Sequence, residues 1–136
     1  FIKEENVHFV SGKTYDLLSH AHAALVTSGT ATLETALFNV PEVVCYRGNW
    51  ISYQIAKRVI SLKYISLVNL IMDAPIVTEL IQGELNTKNL KTELEKLLNS
   101  EYRAQLLKNY KTLREKLGNE GASERTASLI LNSLQK

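Results

Sequence analysis

Apolar, strand-like runs alternate with amphipathic runs through the first half of the chain, and this alternation strongly limits the folds available to it. Four runs predict β-strands, namely Val7–Val10, Ala23–Thr27, Glu42–Tyr46 and Tyr64–Val68. Three runs with apolar residues at helical spacing predict helices, namely Lys13–His20, Thr30–Phe38 and Ile51–Leu62. Because parallel strands need helical crossovers and are apolar on both faces, the pattern predicts an α/β fold with a parallel sheet flanked by helices.

The second half is predicted to be helical, with no strand from Pro75 onward. Its four predicted helices are Thr78–Gly83, Thr87–Leu98, Glu101–Leu117 and Ser123–Leu134. We therefore expect residues 1–100 to form a partial sheet domain and residues 101–136 to form C-terminal helices. These helices are expected to pack on that domain or on a neighbouring domain or chain, and their narrow apolar stripes favour at least partial packing against a neighbour.

Composition argues against several classes of protein. The formal net charge is only +2, which does not favour nucleic acid as a partner. No apolar run approaches the roughly 20 residues of a membrane-spanning helix. The single cysteine, Cys45, cannot form an internal disulfide and lies in the apolar run Val43–Cys45. It is predicted to be a buried structural thiol, which fits a reducing cytoplasm.

The segment Leu25–Glu34 combines a buried strand, a tight turn and a helix. Ligands of open parallel sheets bind at the carboxyl ends of the strands, where a helix N-terminus offers free N–H groups to phosphate. Gly29 permits close approach of the backbone, and the hydroxyls of Ser28 and Thr30 can donate hydrogen bonds. Glu34 shares a helix face with Thr30 and points back toward the turn, so its carboxylate could accept from the two hydroxyls of a ribose.

A second interpretation of this segment needs no ligand. The Ser-Gly-Thr sequence is also good capping chemistry for a helix, and Glu34 would then be an ordinary solvated residue. Spacing alone leaves both interpretations open.

Five segments, in chain order, resemble the C-terminal domain of the lipid-A-disaccharide synthase family. They are Thr27–Glu34, Pro41–Arg47, Ala56–Arg58, Tyr64–Leu70 and Thr78–Glu84. The Ser-Gly-Thr…Glu element alone would indicate only a glycosyltransferase of the GT-B fold, which has two Rossmann-like domains. The Tyr-Arg, Ala-Lys-Arg and Ser-Leu-x-Asn-Leu elements in series make the resemblance specific.

The resemblance implies a Rossmann-like, UDP-binding domain and a lipid A biosynthetic activity. The family transfers 2,3-diacylglucosamine from its UDP-linked donor to lipid X, which yields lipid A disaccharide 1-phosphate and UDP. The N-terminal domain, which would supply the acceptor site and the general base, is expected to be missing here. The fragment is therefore expected to be inactive alone.

The resemblance also implies roles for individual residues. Ser28–Thr30 would contact the diphosphate and Glu34 the ribose. Asn69 is the catalytic candidate, because it matches a family asparagine that faces the donor. Val68 stands where the family often has proline, which suggests a less rigid loop. Neither a cofactor nor a metal is expected, because the helix N-terminus and basic groups would balance the departing diphosphate.

Arg47 and Gln82 are further candidates for phosphate or substrate contacts. Arg47 follows a predicted strand and could bind a phosphate bidentately, although a salt-bridged surface arginine is an equal alternative. Gln82 lies in a matching Glu-Leu-Ile-Gln element, with a hydrogen bond at a helix end as its alternative. His20 and His22 are two residues apart, do not face each other on a helix, and do not indicate a metal site.

A cytoplasmic protein is expected, with peripheral contact at the inner face of the inner membrane left open. The residues that could dock on an anionic membrane surface are Trp50, Tyr53, Lys57 and Arg58. A partly buried helix with basic ends is the alternative for them. A homodimer is also left open.

Two other functions compete with the transferase. One is another UDP-sugar enzyme of the same fold, such as a UDP-N-acetylglucosamine 2-epimerase or a peptidoglycan glucosaminyltransferase, and the Asn69 element argues against it. The other is a non-catalytic α/β interaction domain in which the turn merely caps a helix.

Overall fold

The computed structural model describes residues 7–48, 63–118 and 121–134. The predicted helix Ile51–Leu62 and the Ala-Lys-Arg element lie outside the described residues, as do the four residues of the membrane-docking hypothesis.

The centre of the fold is a parallel sheet of three strands. These strands are β1 (Ala24–Thr27), β2 (Glu42–Tyr46) and β3 (Thr78–Ile81), in the order β1-β2-β3. In the register, Val44 of β2 lies opposite Val26 of β1 and Glu79 of β3. The first three residues of β2 are buried, as expected for the central strand of a sheet covered on both faces. The predicted parallel α/β fold is confirmed.

Six α-helices and one 3₁₀ turn accompany the sheet in the described residues. The helices are α1 (Thr14–His20), α2 (Thr30–Leu37), α3 (Leu67–Met72), α4 (Thr87–Leu98), α5 (Ser100–Leu117) and α6 (Ala122–Leu134), and the 3₁₀ turn is Gln82–Glu84. The predicted helices that correspond to α1, α2, α4, α5 and α6 are confirmed with small shifts at their ends. Helix α2 ends before Asn39, whose φ of 57° is left-handed, and Pro41 follows.

Two predicted strands are wrong. Val7–Val10 has no regular structure, and the Phe9 side chain is 99% exposed. A strand is stable only when it pairs, and no described strand lies beside this run. Tyr64–Val68 is a loop followed by the start of α3, because Ser66 caps that helix by accepting a hydrogen bond from the Asn69 N–H at 3.2 Å.

The predicted helix Thr78–Gly83 is also wrong, and so is the expected absence of strands after Pro75. Residues Thr78–Ile81 form β3, which pairs with β2 along four residues. The pairing partner is more than 30 residues earlier in the chain, so the local pattern could not reveal it; tertiary pairing overrides local propensity here.

The hydrophobic core lies between the sheet and the helices. Its buried members are Ala36, Val43, Val44, Val68, Val77, Leu80, Leu97, Leu106, Tyr110 and Leu113. Three of them belong to α5, so the apolar stripe of this charged helix is buried in the core of its own chain, where α5 contacts α2, α3 and α4. The apolar residues of α6 are exposed; Leu131, for example, is 60% exposed. None of the helices in the described segments is both long and apolar enough to cross a bilayer.

Candidate nucleotide-binding site

The turn between β1 and α2 has a backbone geometry that only glycine adopts easily. Gly29 precedes the first residue of α2 and has φ 155° and ψ −163°, a region that is essentially restricted to glycine. A Cβ atom there would meet nothing within 4 Å, so the restriction comes from the backbone and the space beside it is open. Its carbonyl accepts from the Thr32 hydroxyl at 2.8 Å, which holds the first turn of the helix.

The N-terminus of α2 has no side-chain cap among the described residues. Ser28, which could have capped it, instead directs its hydroxyl toward the Ile65 carbonyl at 3.4 Å. The first N–H groups of any helix lack intrahelical partners, and here Gly29 and Thr30 are exposed. The turn therefore presents free backbone donors to solvent.

Glu34 lies one helical turn further along α2 and is half-buried. It lines an open cleft of about 440 Å³ between α2 and the beginning of α1. The other lining residues are Gly12, Lys13, Thr14, Tyr15 and Asp16. Their contribution was not predicted from the sequence, because the loop before α1 shows no motif.

Asn69, the catalytic candidate, is only 1% exposed and lies in α3 beside the start of β3. Its Nδ2 donates to the Val77 carbonyl and to Glu79 Oε1, both at 2.9 Å. Its Oδ1 accepts from the Val77 N–H at 2.9 Å. Both ends of the amide are therefore bonded within the chain.

Glu79 connects β3 to the segment before α3. Its carboxylate accepts from the backbone N–H of Ile65 at 3.0 and 3.2 Å and from that of Ser66 at 2.9 Å. With Asn69, three donors thus converge on one side chain. This role of Glu79 was not predicted from the sequence, because the segment that contains it resembles a helix. The available signal is a single acidic residue within the strand Thr78–Ile81.

Arg47 and Gln82 lie at the same edge of the sheet as the turn, because β2 and β3 run parallel to β1 and end just before them. Arg47 is exposed. Gln82 donates from Nε2 to the Gly48 carbonyl at 3.2 Å and has a left-handed φ of 53°, which is strained for a non-glycine residue. The three predicted contact regions therefore follow neighbouring strand ends.

Two ionisable side chains on β2 are buried or half-buried. Burial raises the pKa of Glu42, at the start of the strand, to about 9, and neither of its carboxylate oxygens has a partner among the described residues. Cys45 is half-buried, and burial raises the pKa of its thiol, which makes it a poor nucleophile. Within the described ranges, no three His, Cys, Asp or Glu side chains are grouped as metal ligands.

A parallel sheet with an open, glycine-led helix N-terminus at its carboxyl edge defines an α/β domain of the Rossmann-like class. The family model described as lipid-A-disaccharide synthetase matches residues 1–132. The chain therefore belongs to the lipid-A-disaccharide synthase family.

Curated relatives agree with this assignment. A lipid-A-disaccharide synthase of Syntrophus aciditrophicus is 40% identical over 131 residues, which cover 96% of this chain and 34% of the relative. Proteins of the same name from Synechocystis and Anaeromyxobacter dehalogenans are 37% and 35% identical, and 34% of each is covered. The chain thus spans about a third of the length of these relatives.

Proposed function

We propose that this chain is the donor-binding part of a glycosyltransferase of lipid A biosynthesis. The donor is UDP-2,3-diacylglucosamine, the acceptor is lipid X, and the products are lipid A disaccharide 1-phosphate and UDP. The names of the relatives support the assignment of the reaction. The chain spans about a third of their length, which supports the proposal that it forms one part of such an enzyme. The main structural support is the uncapped N-terminus of α2 behind Gly29.

The turn has the properties that a diphosphate requires. Its free N–H groups and the positive end of the α2 dipole both favour an anion. The position of Gly29 leaves open space beside the backbone, so phosphate oxygens can approach it. Ser28 and Thr30 add hydroxyl donors. The capping interpretation is disfavoured because the Ser28 hydroxyl approaches Ile65 rather than the helix amides.

The cleft beside Glu34 accommodates the nucleoside. Glu34 is four residues after Thr30, a rise of about 6 Å along the helix axis, which is roughly the separation of a ribose from its diphosphate. The Glu34 carboxylate accepts from the ribose hydroxyls, and the loop that begins at Gly12 provides the opposite wall of the cleft. Arg47 and Gln82, at the next two strand ends, are the candidates to contact the β-phosphate or the sugar.

Asn69 contributes to this site through the segment that it holds. Its amide is bonded to Val77 and Glu79, so a direct contact with the donor requires one of these bonds to be exchanged. In the transfer step, the backbone donors of the turn stabilise the charge that develops on the departing UDP, and no metal is required for this. The acceptor and the general base belong to the rest of the enzyme, so the chain alone is expected to transfer no sugar.

Calorimetric titration of the chain with UDP and with inorganic diphosphate tests the proposal. Both ligands are expected to bind, and UDP more tightly, because only UDP reaches Glu34. A panel that compares UDP-N-acetylglucosamine with UDP-2,3-diacylglucosamine distinguishes this donor from that of another UDP-sugar enzyme. If the folded chain bound neither UDP nor diphosphate, the proposal would be contradicted and the helix-capping interpretation of the turn would be favoured.

A further inference from the structure

We propose that Glu79 is a positioning residue that sets the geometry of the diphosphate-binding turn. This inference rests on the proposed function, because it concerns how the same site is held. Glu79 lies on β3, and in the described part of the chain its link to the turn runs through the backbone of residues 65 and 66.

The donors around Glu79 match a carboxylate and no other side chain of this size. Two backbone N–H groups and one amide N–H all point at its two oxygens. A carboxylate only accepts, whereas the glutamine amide would direct its own N–H groups against one of these donors. Hydrogen bonds to a charged acceptor are the stronger ones, so the segment Ile65–Ser66 is held firmly.

The peptide group that joins Ile65 to Ser66 transmits this constraint to the turn. Its N–H, which belongs to Ser66, donates to Glu79 at 2.9 Å, and its carbonyl, which belongs to Ile65, lies 3.4 Å from the Ser28 hydroxyl oxygen. That separation exceeds the usual 2.5–3.0 Å of an O–H···O bond by about 0.4 Å or more, so the bond is weak and easily exchanged. A hydroxyl has one proton, which it donates either to the Ile65 carbonyl or to a phosphate oxygen.

Glu79 therefore keeps the Ser28 proton oriented and available. While Glu79 fixes the Ile65 carbonyl, that carbonyl orients the Ser28 hydroxyl. When a diphosphate binds, the hydroxyl donates to a phosphate oxygen instead. Without Glu79 the loop would relax, and the carbonyl would either approach Ser28 and retain its proton or move away and leave the hydroxyl unordered. Both changes weaken the binding of the diphosphate.

Glu93 offers a matched control for the loss of charge. It is also half-buried and also bonds to β3, since it accepts from the Thr78 hydroxyl at 2.9 Å, but its other partner among the described residues is Lys96 of its own helix. Neither of these contacts involves the segment before α3. A general loss of stability at the sheet would appear in Glu93→Gln as well.

The test measures the affinity of UDP and of inorganic diphosphate for Glu79→Gln, Glu93→Gln and the wild-type chain, well below their melting temperatures. We expect Glu79→Gln to lose about tenfold or more for both ligands, the size of one charge-assisted hydrogen bond. Glu93→Gln should bind both as the wild type does. A wild type that binds neither ligand would overturn the proposed function, whereas equal binding by wild type and Glu79→Gln would overturn only this inference.

A double-mutant cycle with Ser28→Ala identifies the route. If Glu79 acts through the Ser28 hydroxyl, Glu79→Gln should cost little further affinity in the Ser28→Ala background; independent, additive losses would contradict the inference. Should Glu79→Gln not fold, the amide signals of Ile65 and Ser66 serve instead. Diphosphate should shift them in the wild-type chain and leave them unchanged in Ser28→Ala, and identical shifts in both proteins would refute the link.

Discussion

At the scale of single residues, Glu34 is expected to distinguish a nucleotide from an inorganic diphosphate. Glu34→Ala removes charge-assisted hydrogen bonds to ribose, each worth roughly 1.5–3 kcal/mol, so the affinity for UDP should fall by about tenfold to a hundredfold. Diphosphate binding should be unchanged, because the turn remains. The melting temperature should change little, since alanine is the better helix former.

The control for this substitution is Glu95→Ala, which removes an exposed glutamate near the C-terminal end of α4. It should alter neither ligand affinity nor stability appreciably. Unchanged UDP binding by a folded Glu34→Ala protein would remove Glu34 from the site, and a large loss of melting temperature would make it a structural residue.

Glu42 is expected to make the stability of the chain depend on pH. The unfolded chain releases this proton near the ordinary pKa of 4.5, whereas the folded chain retains it until about 9. The unfolded state is therefore favoured progressively as the pH rises through this window, by up to about 1.4 kcal/mol per pH unit. Stability from this source is complete below the window and lost above it.

Glu42→Gln removes the ionisation and keeps the shape of the side chain. The free energy of unfolding of both proteins is measured with urea from pH 5 to pH 9. The value for Glu42→Gln minus the value for the wild type should increase as the pH rises. Curves that remain parallel across this range would show that the Glu42 carboxyl ionises normally in the folded chain.

At the scale of secondary-structure elements, the junction of β1 and α2 depends on the backbone of Gly29. Gly29→Ala should lower the free energy of unfolding by about 1–3 kcal/mol, because alanine is strained at this φ and ψ. Gly83→Ala is the matched control, since its Cβ would also meet nothing within 4 Å and its φ is not left-handed. It should be nearly neutral by the same denaturation measurement, and an equal loss in both variants would argue against strain at the turn.

The elements differ in how far their own sequence determines them. Strand β2 is predicted with both ends correct, because Pro41 stops the preceding helix and an apolar run follows directly. Strand β3 is not predicted, because Thr78–Ile81 acquires its conformation by pairing with β2. The same error concealed Glu79, whose three donors come from residues that are 10–14 positions earlier. The turn at Ser28–Thr30 is predictable since its chemistry is local.

At the scale of the whole molecule, α5 and α6 are expected to respond differently to substitution. Leu113 of α5 is buried in the core, so Leu113→Ala should cost about 2–5 kcal/mol. Leu131 of α6 is exposed, so Leu131→Ser should change the stability of the monomer by no more than about 0.5 kcal/mol.

The same pair tests whether α6 packs against a neighbour. If α6 contacts another copy of the chain, Leu131→Ser should reduce the molar mass found by light scattering at high concentration and leave the monomer's melting curve in place. A loss of monomer stability as large as that of Leu113→Ala would mean that α6 packs on its own domain.

The central claim is that the N-terminus of α2 binds the diphosphate of a UDP-sugar, and the backbone amide signals during a UDP titration test it most directly. We predict that UDP will shift the amide signals of Gly29, Thr30 and Ala31 most, and that of Glu34 next. Inorganic diphosphate should shift the signals of Gly29, Thr30 and Ala31 but not that of Glu34. Saturating UDP that leaves these amides unmoved, or that shifts signals only elsewhere in a folded chain, would contradict the claim.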